Sequence, residues 1–255
     1  MQIFKKSCIS LSVDDGAKNS FRLYKLLKKY SVPATFNIIT SKIGNEGYLS
    51  LRELQEIHSD PIMEIACHSH THTNEDEDIL CANRTLSEWL GEPPLGLWGF
   101  ASPGSDLTKS IVEENEEKLR SLGLLYVRSA DNPTPDERLI KIANSLSQGE
   151  DPLVIKNVTR LIDRLYSMFI PSVVLHHKDS PEVFKRLIDV SADEGLGMVL
   201  MLHSVKKPDE PRYDSTWSYD YDKTEELIRY IKEQERSGKL TAVTTRDLYN
   251  ERKQA

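Results

Sequence analysis

The 255-residue chain has only three cysteines, Cys8, Cys67 and Cys81. That is too few for a disulfide framework and an odd number, so reduced thiols of a cytosolic protein are expected. No apolar run approaches the ~20 residues of a membrane-spanning helix. The Met1–Lys6 stretch lacks the long uncharged core and small-residue cleavage site of an export signal, and a cytoplasmic location is the expectation. Basic residues are not in excess. Lys plus Arg number 33 and Asp plus Glu 40, a formal charge of −7, which argues against general polyanion binding, and no nucleic-acid partner is expected. No G-x-G-x-x-G follows the first apolar run, so a dinucleotide fold loses its main support. Internal repeats and low-complexity linkers are also missing, and residues 1–255 read as one domain.

Hydrophobic residues make up 38% of the chain, enough for a core. They are spaced as alternating strands and helices. Strands are predicted at Cys8–Val13, Ala34–Ile39, Ile62–Cys67, Leu95–Phe100, Leu124–Arg128, Ser172–Leu175, Met198–Leu202 and Thr241–Thr244. Helices are predicted at Asn19–Tyr30, Leu51–His58, Ile79–Leu90, Lys109–Leu122, Val158–Phe169, Glu182–Glu194 and Lys223–Arg236. Ser50 and Glu53 form a capping box for the second helix. The polar, proline-containing segment Ser129–Asp151 reads as a long loop. Seven or eight strand–helix units fit an α/β class chain folded as a distorted (β/α)7–8 barrel better than an open sheet.

In such a barrel, chemistry sits where strands end. The first strand ends in Asp14-Asp15-Gly16, the third in His68-Ser69-His70-Thr71-His72, the sixth in His176-His177 and the seventh in Leu202-His203. Of seven histidines only His58 lies elsewhere. Adjacent aspartates on a turn point in different directions, so one can bind a cation while the other stays free as a base, although Asp-Asp-Gly is also an ordinary turn. His68 and His72, four apart, would share one face of a helical turn and close on one metal, though His68 and His70 would share a face if the strand continued. Two imidazoles and a carboxylate suit Zn²⁺, and also Co²⁺, Ni²⁺ or Fe²⁺. Strand alternation points Cys67 away from His68. His203 is placed either to donate a proton or to bond a core carbonyl. Trp217-Ser218-Tyr219-Asp220-Tyr221 could stack on a ligand or pack the last helix.

Ser12-Val13-Asp14-Asp15-Gly16, His68-Ser69-His70-Thr71-His72 with Glu64-Ile65 before it, Gly99-Phe100-Ala101-Ser102-Pro103-Gly104 and Leu200-Met201-Leu202-His203-Ser204 resemble, in order, motifs of the NodB-like polysaccharide deacetylases, carbohydrate esterase family 4. The resemblance runs from about residue 8 to residue 248. It implies the distorted barrel, one divalent metal on Asp15, His68 and His72, Asp14 as general base and His203 as general acid. The implied reaction is hydrolysis of an N-acetylated carbohydrate to acetate and an amine. Backbone N–H groups near Gly104 and Ser105 would hold the developing oxyanion, with Pro103 in the same loop. His176-His177 resembles a pair found before the last motif in one bacterial subgroup, of which one would face substrate. The family's third motif usually carries an Arg where this chain has Ala101. Arg128 is the expected replacement, with Asp131 a remnant of the missing fourth motif that orients His203. Two alternatives remain open: hydrolysis of a small non-sugar amide on the same fold, or a carbohydrate-binding protein whose site has decayed, as the loss at Ala101 would suit.

Overall fold

The computed structural model describes residues 6–131, 135, 137–146 and 149–253. Eleven strands are seen among them: β1 (Ser7–Val13), β2 (Ala34–Ile38), β3 (Met63–Cys67), β4 (Trp98–Ala101), β5 (Leu124–Ser129), β6 (Phe169–Pro171), β7 (Val173–Val174), β8 (Gly197–Leu202), β9 (Ser204–Lys206), β10 (Ser218–Asp220) and β11 (Leu240–Ala242). The helices are α1 (Ser20–Tyr30), α2 (Leu51–Ser59), α3 (Asp76–Leu90), α4 (Lys109–Glu114), α5 (Glu116–Ser121), α6 (Glu137–Ser145), α7 (Pro152–Val158), α8 (Pro181–Glu194), α9 (Tyr221–Arg236) and α10 (Thr245–Lys253).

The main sheet is parallel and runs β6-β5-β4-β3-β2-β1-β8-β7. Its two ends meet in the chain. Phe169–Pro171 pairs with β5 and Val173–Val174 pairs with β8, with Ser172 alone between them. One interrupted strand thus closes seven staves into a barrel. The eighth, β11, pairs with the start of β1 while β2 pairs with its end. This is the distorted (β/α)7–8 barrel that the alternation predicts.

Strands alternate their faces, and in this barrel many inward positions are polar. Side chains meet across it in two layers. In the lower layer Glu64 of β3 accepts from Thr35 of β2 at 2.7 Å and from the Tyr126 hydroxyl of β5 at 3.1 Å. The first turn of α10 plugs this end: Thr245 N–H donates to Thr35 Oγ1 at 2.8 Å, and Arg246 N–H to Glu64 Oε2 at 3.0 Å. Gly99 pairs with Tyr126 across the β4–β5 ladder, and a Cβ at Gly99 would lie 2.3 Å from the Tyr126 ring carbon and hydroxyl. Only glycine leaves room for that tyrosine to reach Glu64. The upper layer holds Asp14, Asn37, His68, Arg128 and Met201.

Four sequence expectations need correction. The helix predicted over Val158–Phe169 is not there: α7 precedes it, started by Pro152 and by the Asp151 carboxylate accepting from Leu153 N–H at 2.7 Å. The helical spacing of Leu161, Ile162, Leu165 and Met168 instead serves an irregular buried run, pulled out of helix by two bonds between Ile162 and Gly197, at 2.8 and 2.7 Å. The predicted loop Ser129–Asp151 contains α6, which buries Leu139, Ile142 and Ala143 at helical spacing; residues 132–134, 136, 147 and 148 of it lie outside the described residues, as do residues 1–5 and 254–255 of the predicted domain. The helix over Lys109–Leu122 is broken at Asn115 into α4 and α5. The strand predicted from Leu95 begins at Trp98, because Leu95 is left-handed (φ 61°). The Ser50–Glu53 capping box is present.

Candidate metal and catalytic centre

At the C-terminal mouth β1 runs out into Asp14 and Asp15. Asp14 N–H still bonds Leu202 O at 2.9 Å, so its side chain keeps the inward direction of Ser10 and Ser12. Asp15 and Gly16 are both left-handed (φ 77° and 72°), which swings the second carboxylate to the rim. The two aspartates therefore face different partners.

Asp14 is buried. Its Oδ1 accepts from Asn37 Nδ2 at 2.7 Å and from the Arg128 guanidinium, and its Oδ2 lies 3.9 Å from His203 Nε2. Burial pushes its pKa up, but the Arg128 charge, with those of His68 and His203, outweighs this and holds the carboxyl at about 2. Arg128 stands directly opposite Ala101 in the β4–β5 register. A guanidinium thus reaches the carboxylate from the strand next to the one that carries Ala101.

Asp15 Oδ1 lies 3.5 Å from His68 Nε2 and 3.9 Å from His72 Nε2, and one ligand atom from each of the three residues falls within 4.8 Å of the others. Bonds of ~2.0–2.2 Å around a tetrahedral cation put its ligand atoms roughly 3.3–3.6 Å apart, so the Asp15–His68 spacing suits such an ion and His72 stands slightly farther out. His68 is buried, and its Nδ1 lies 2.8 Å from Ala101 O. A carbonyl only accepts, so Nδ1 carries a proton there, and Nε2 is the nitrogen turned toward Asp15 and left for a metal. Burial, then the neighbouring His68, lowers the His72 pKa, against the pull of Asp15 and Asp14. The set fits a divalent cation.

The helical turn predicted for His68–His72 is absent. The segment is a loop with Ser69 (φ 64°) and His72 (φ 73°) left-handed, and these two reversals bring the rings to 4.9 Å, edge to face. His70 leaves the cluster for Thr40 Oγ1, 2.8 Å from its Nδ1. Cys67 is buried, accepts from Ser69 N–H at 3.4 Å and has a thiol pushed up to about 12 by burial.

The other predicted residues divide. The His203 ring packs 4.9 Å from Trp217, which in turn lies 5.5 Å from the His176 ring. Trp217 is 53% exposed, whereas Tyr219 is buried against Phe184. His177 turns to Tyr213, 4.8 Å away. Asp131 is not brought to His203: it accepts from Lys109 N–H at 3.2 Å at the start of α4, and His203 Nδ1 has no hydrogen-bond partner among the described residues. Pro103 is buried and its carbonyl accepts from Asn74 at 3.0 Å. Ser105 N–H bonds Ser102 O at 3.0 Å and is spent in the turn, while Gly104 beside it is exposed. Sequence reasoning missed Asn37 and Asp78. Asn37 could have been found as the inward residue two after Thr35; Asp78 carried no signal.

Residues 2–126, which hold the Asp14-Asp15 turn, the His68–His72 loop and Ala101, match the polysaccharide deacetylase family. Over that stretch, just under half of its length, the chain is similar to that family. Among curated polysaccharide deacetylases, poly-β-1,6-N-acetyl-D-glucosamine N-deacetylase of Staphylococcus aureus (strain N315) is 33% identical over 73 residues, 26% of this chain. The match spans about a quarter, 25%, of that relative's length. Two solved structures share the whole barrel at low identity. The Xyl-CE4 domain of a multidomain xylanase from the hindgut metagenome of Trinervitermes trinervoides superposes with TM-score 0.51 at 15% identity, covering 97% of this chain and 91% of the other. A CE4 family pseudoenzyme from Bacillus anthracis gives 0.51 at 15% identity, covering 98% and 67%. These two likenesses show the barrel fold alone. Activity must be argued from the site itself.

Proposed function

We propose that the chain is a metal-dependent hydrolase that removes N-acetyl groups from an amino-sugar glycan or glycoside and releases acetate. The observation that carries this reading is the division of labour at one mouth. Asp15, His68 and His72 each bring one ligand atom within 4.8 Å of the others, while Asp14, held by Arg128 and Asn37, stays outside that set and 3.9 Å from His203.

Asp15, His68 and His72 would hold the ion, Zn²⁺ by the chemistry of its donors or Co²⁺, Ni²⁺ or Fe²⁺; when bound it supplies Lewis-acid polarisation of the acetamide carbonyl and acidifies water. The chain's residues do the rest. Asp14 takes the proton of the attacking water, and Arg128 and Asn37 fix the carboxylate for it. His203 gives a proton to the amine nitrogen as the C–N bond breaks. Trp217 offers an exposed aromatic face beside His203, against which a sugar ring can lie.

The test is acetate release from N-acetylglucosamine oligomers by the chelator-stripped protein, before and after Zn²⁺ or Co²⁺ is restored, with cyclic ureides and formamides assayed in parallel. Metal-dependent acetate release supports the proposal. Turnover of the small amides alone moves the substrate away from sugars, and bound metal with no turnover of any of them shows a decayed site.

A further inference from the structure

The His68–His72 loop is held unequally. His68 is buried and tied to Ala101 O. His72 is 44% exposed in its side chain and sits in a left-handed conformation that a non-glycine residue adopts only at a cost. Ser69, three residues earlier, is left-handed as well. Between the two strained positions, one carboxylate gathers the loop. Asp78, in the first turn of α3, accepts from His70 N–H at 3.0 Å, from Thr71 N–H at 2.9 Å and from the Thr71 hydroxyl at 2.8 Å. The opposite side is pinned by Thr40 N–H on Ser69 O at 3.1 Å and Ser41 N–H on His70 O at 3.0 Å.

We propose that Asp78 is a positioning residue for the metal centre: by binding the backbone of residues 70 and 71 it holds the two left-handed turns that carry His72 into register with Asp15 and His68. The inference rests on the metal-binding reading above. It follows from the bonding. Charge-assisted bonds are the stronger kind, and these fall where the backbone is least comfortable. Without them the loop relaxes toward ordinary φ values, and His72, whose ring has no hydrogen bond among the described residues like that of His68 to Ala101, leaves first. Among the described residues Asp78 bonds the loop and no ligand atom, so its effect on the site passes through the loop that carries His72.

The experiment is Co²⁺ titration of the full chain by calorimetry and visible absorption, comparing wild type, Asp78→Ala, Asp78→Asn, His72→Ala, the double variant Asp78→Ala/His72→Ala and Glu77→Ala. Glu77 is an exposed acidic neighbour in the same first helical turn and controls for simple helix-end electrostatics. Asp78→Ala is expected to weaken Co²⁺ binding about 10–100-fold and to shift the visible bands. The milder Asp78→Asn should follow in the same direction, and Glu77→Ala should bind like wild type. In the His72→Ala background, Asp78→Ala should have no further effect. Binding by Asp78→Ala and Asp78→Asn within threefold of wild type with unchanged bands would overturn the proposal, and so would an equal loss in the His72→Ala background. Wild-type protein that binds no Co²⁺ would instead refute the metal reading itself.

Discussion

Arg128 and Asp14 form a buried ion pair across the upper layer of the barrel, one from the end of β5 and the other from the end of β1. Removing two charges from water is costly, and each partner found by the remaining polar atoms offsets part of that cost, although buried Arg128 Nε finds none among the described residues. Asn37 supplies a second donor to the same carboxylate oxygen, and the second arm of the guanidinium reaches Met201 Sδ. Ala101, the ladder partner of Arg128, keeps a separate duty: its carbonyl sets the His68 tautomer. The proposed base and the proposed metal ligands are thus oriented by neighbouring strands.

Arg128→Met should impair turnover while leaving metal content intact. Burial raises the Asp14 pKa and Arg128 is the leading influence that lowers it. Removing the guanidinium therefore moves that pKa up from about 2, and the base is ionised only at higher pH. The acidic limb of the kcat/KM profile should shift toward neutrality, with kcat at pH 7 down at least about tenfold, part of the roughly 10²–10⁴-fold that general-base catalysis contributes. Unchanged kcat and an unmoved acidic limb, with metal retained, would remove Arg128 from the mechanism.

The same pair matters for folding. Asp14→Asn leaves the Arg128 charge buried without its carboxylate and should cost about 3–5 kcal/mol in urea unfolding. Asp14→Asn/Arg128→Met should recover part of that loss, since the stranded charge goes with it. The sign with pH is fixed: a carboxyl whose folded pKa is depressed contributes stability above its unfolded value of 3.8, lost as pH falls toward about 2. Wild type should lose stability through that window more steeply than Arg128→Met. Parallel acid profiles would show that the ion pair contributes nothing to stability.

Much of this was legible in the chain, and the failures share one cause. Period-two and helical spacing located the strands that make the barrel, and clustering of Asp and His at strand ends located the mouth. What local pattern cannot show is a tertiary bond that overrides it. Leu161, Ile162 and Leu165 are spaced for a helix, yet two backbone bonds between Ile162 and Gly197 hold that run against the barrel. His68 and His72 are also spaced for a helix, and the loop reaches the same convergence through two left-handed residues. Asp131 sat close enough in sequence to serve His203, but it supports the start of α4 instead. Asp78 lay ten residues beyond His68 with nothing to mark it.

Trp217 reaches the mouth by a detour the sequence did not disclose. β9 and β10 pair in parallel, Ser204 with Ser218, and this returns the chain to within 4.9 Å of the His203 ring. Trp217→Ala should raise KM for N-acetylated oligosaccharides about 2–10-fold, the range a lost aromatic contact of 0.5–1.5 kcal/mol allows. Metal affinity should not change, because the indole touches no ligand. An unaltered KM would mean that the tryptophan only packs against the two histidines.

A layer below the site, Gly99→Ala should separate scaffold from chemistry. The new methyl would sit 2.3 Å from the Tyr126 ring carbon and hydroxyl, closer than real Cβ contacts come. Tyr126 cannot retreat freely, because its hydroxyl is bonded to Glu64, whose other oxygen holds Thr35 and the Arg246 backbone. Either β4 moves away from β5 or the tyrosine gives up Glu64, a buried carboxyl whose pKa burial already raises. Overpacking of this kind costs about 1–3 kcal/mol, and the broken bond adds to it. Thermal or urea unfolding should report a loss near the top of that range, with Co²⁺ affinity and KM close to wild type because the metal loop is anchored from α3 and Ala101. A stable variant with weakened Co²⁺ binding would show instead that the lower layer sets the position of the ligands.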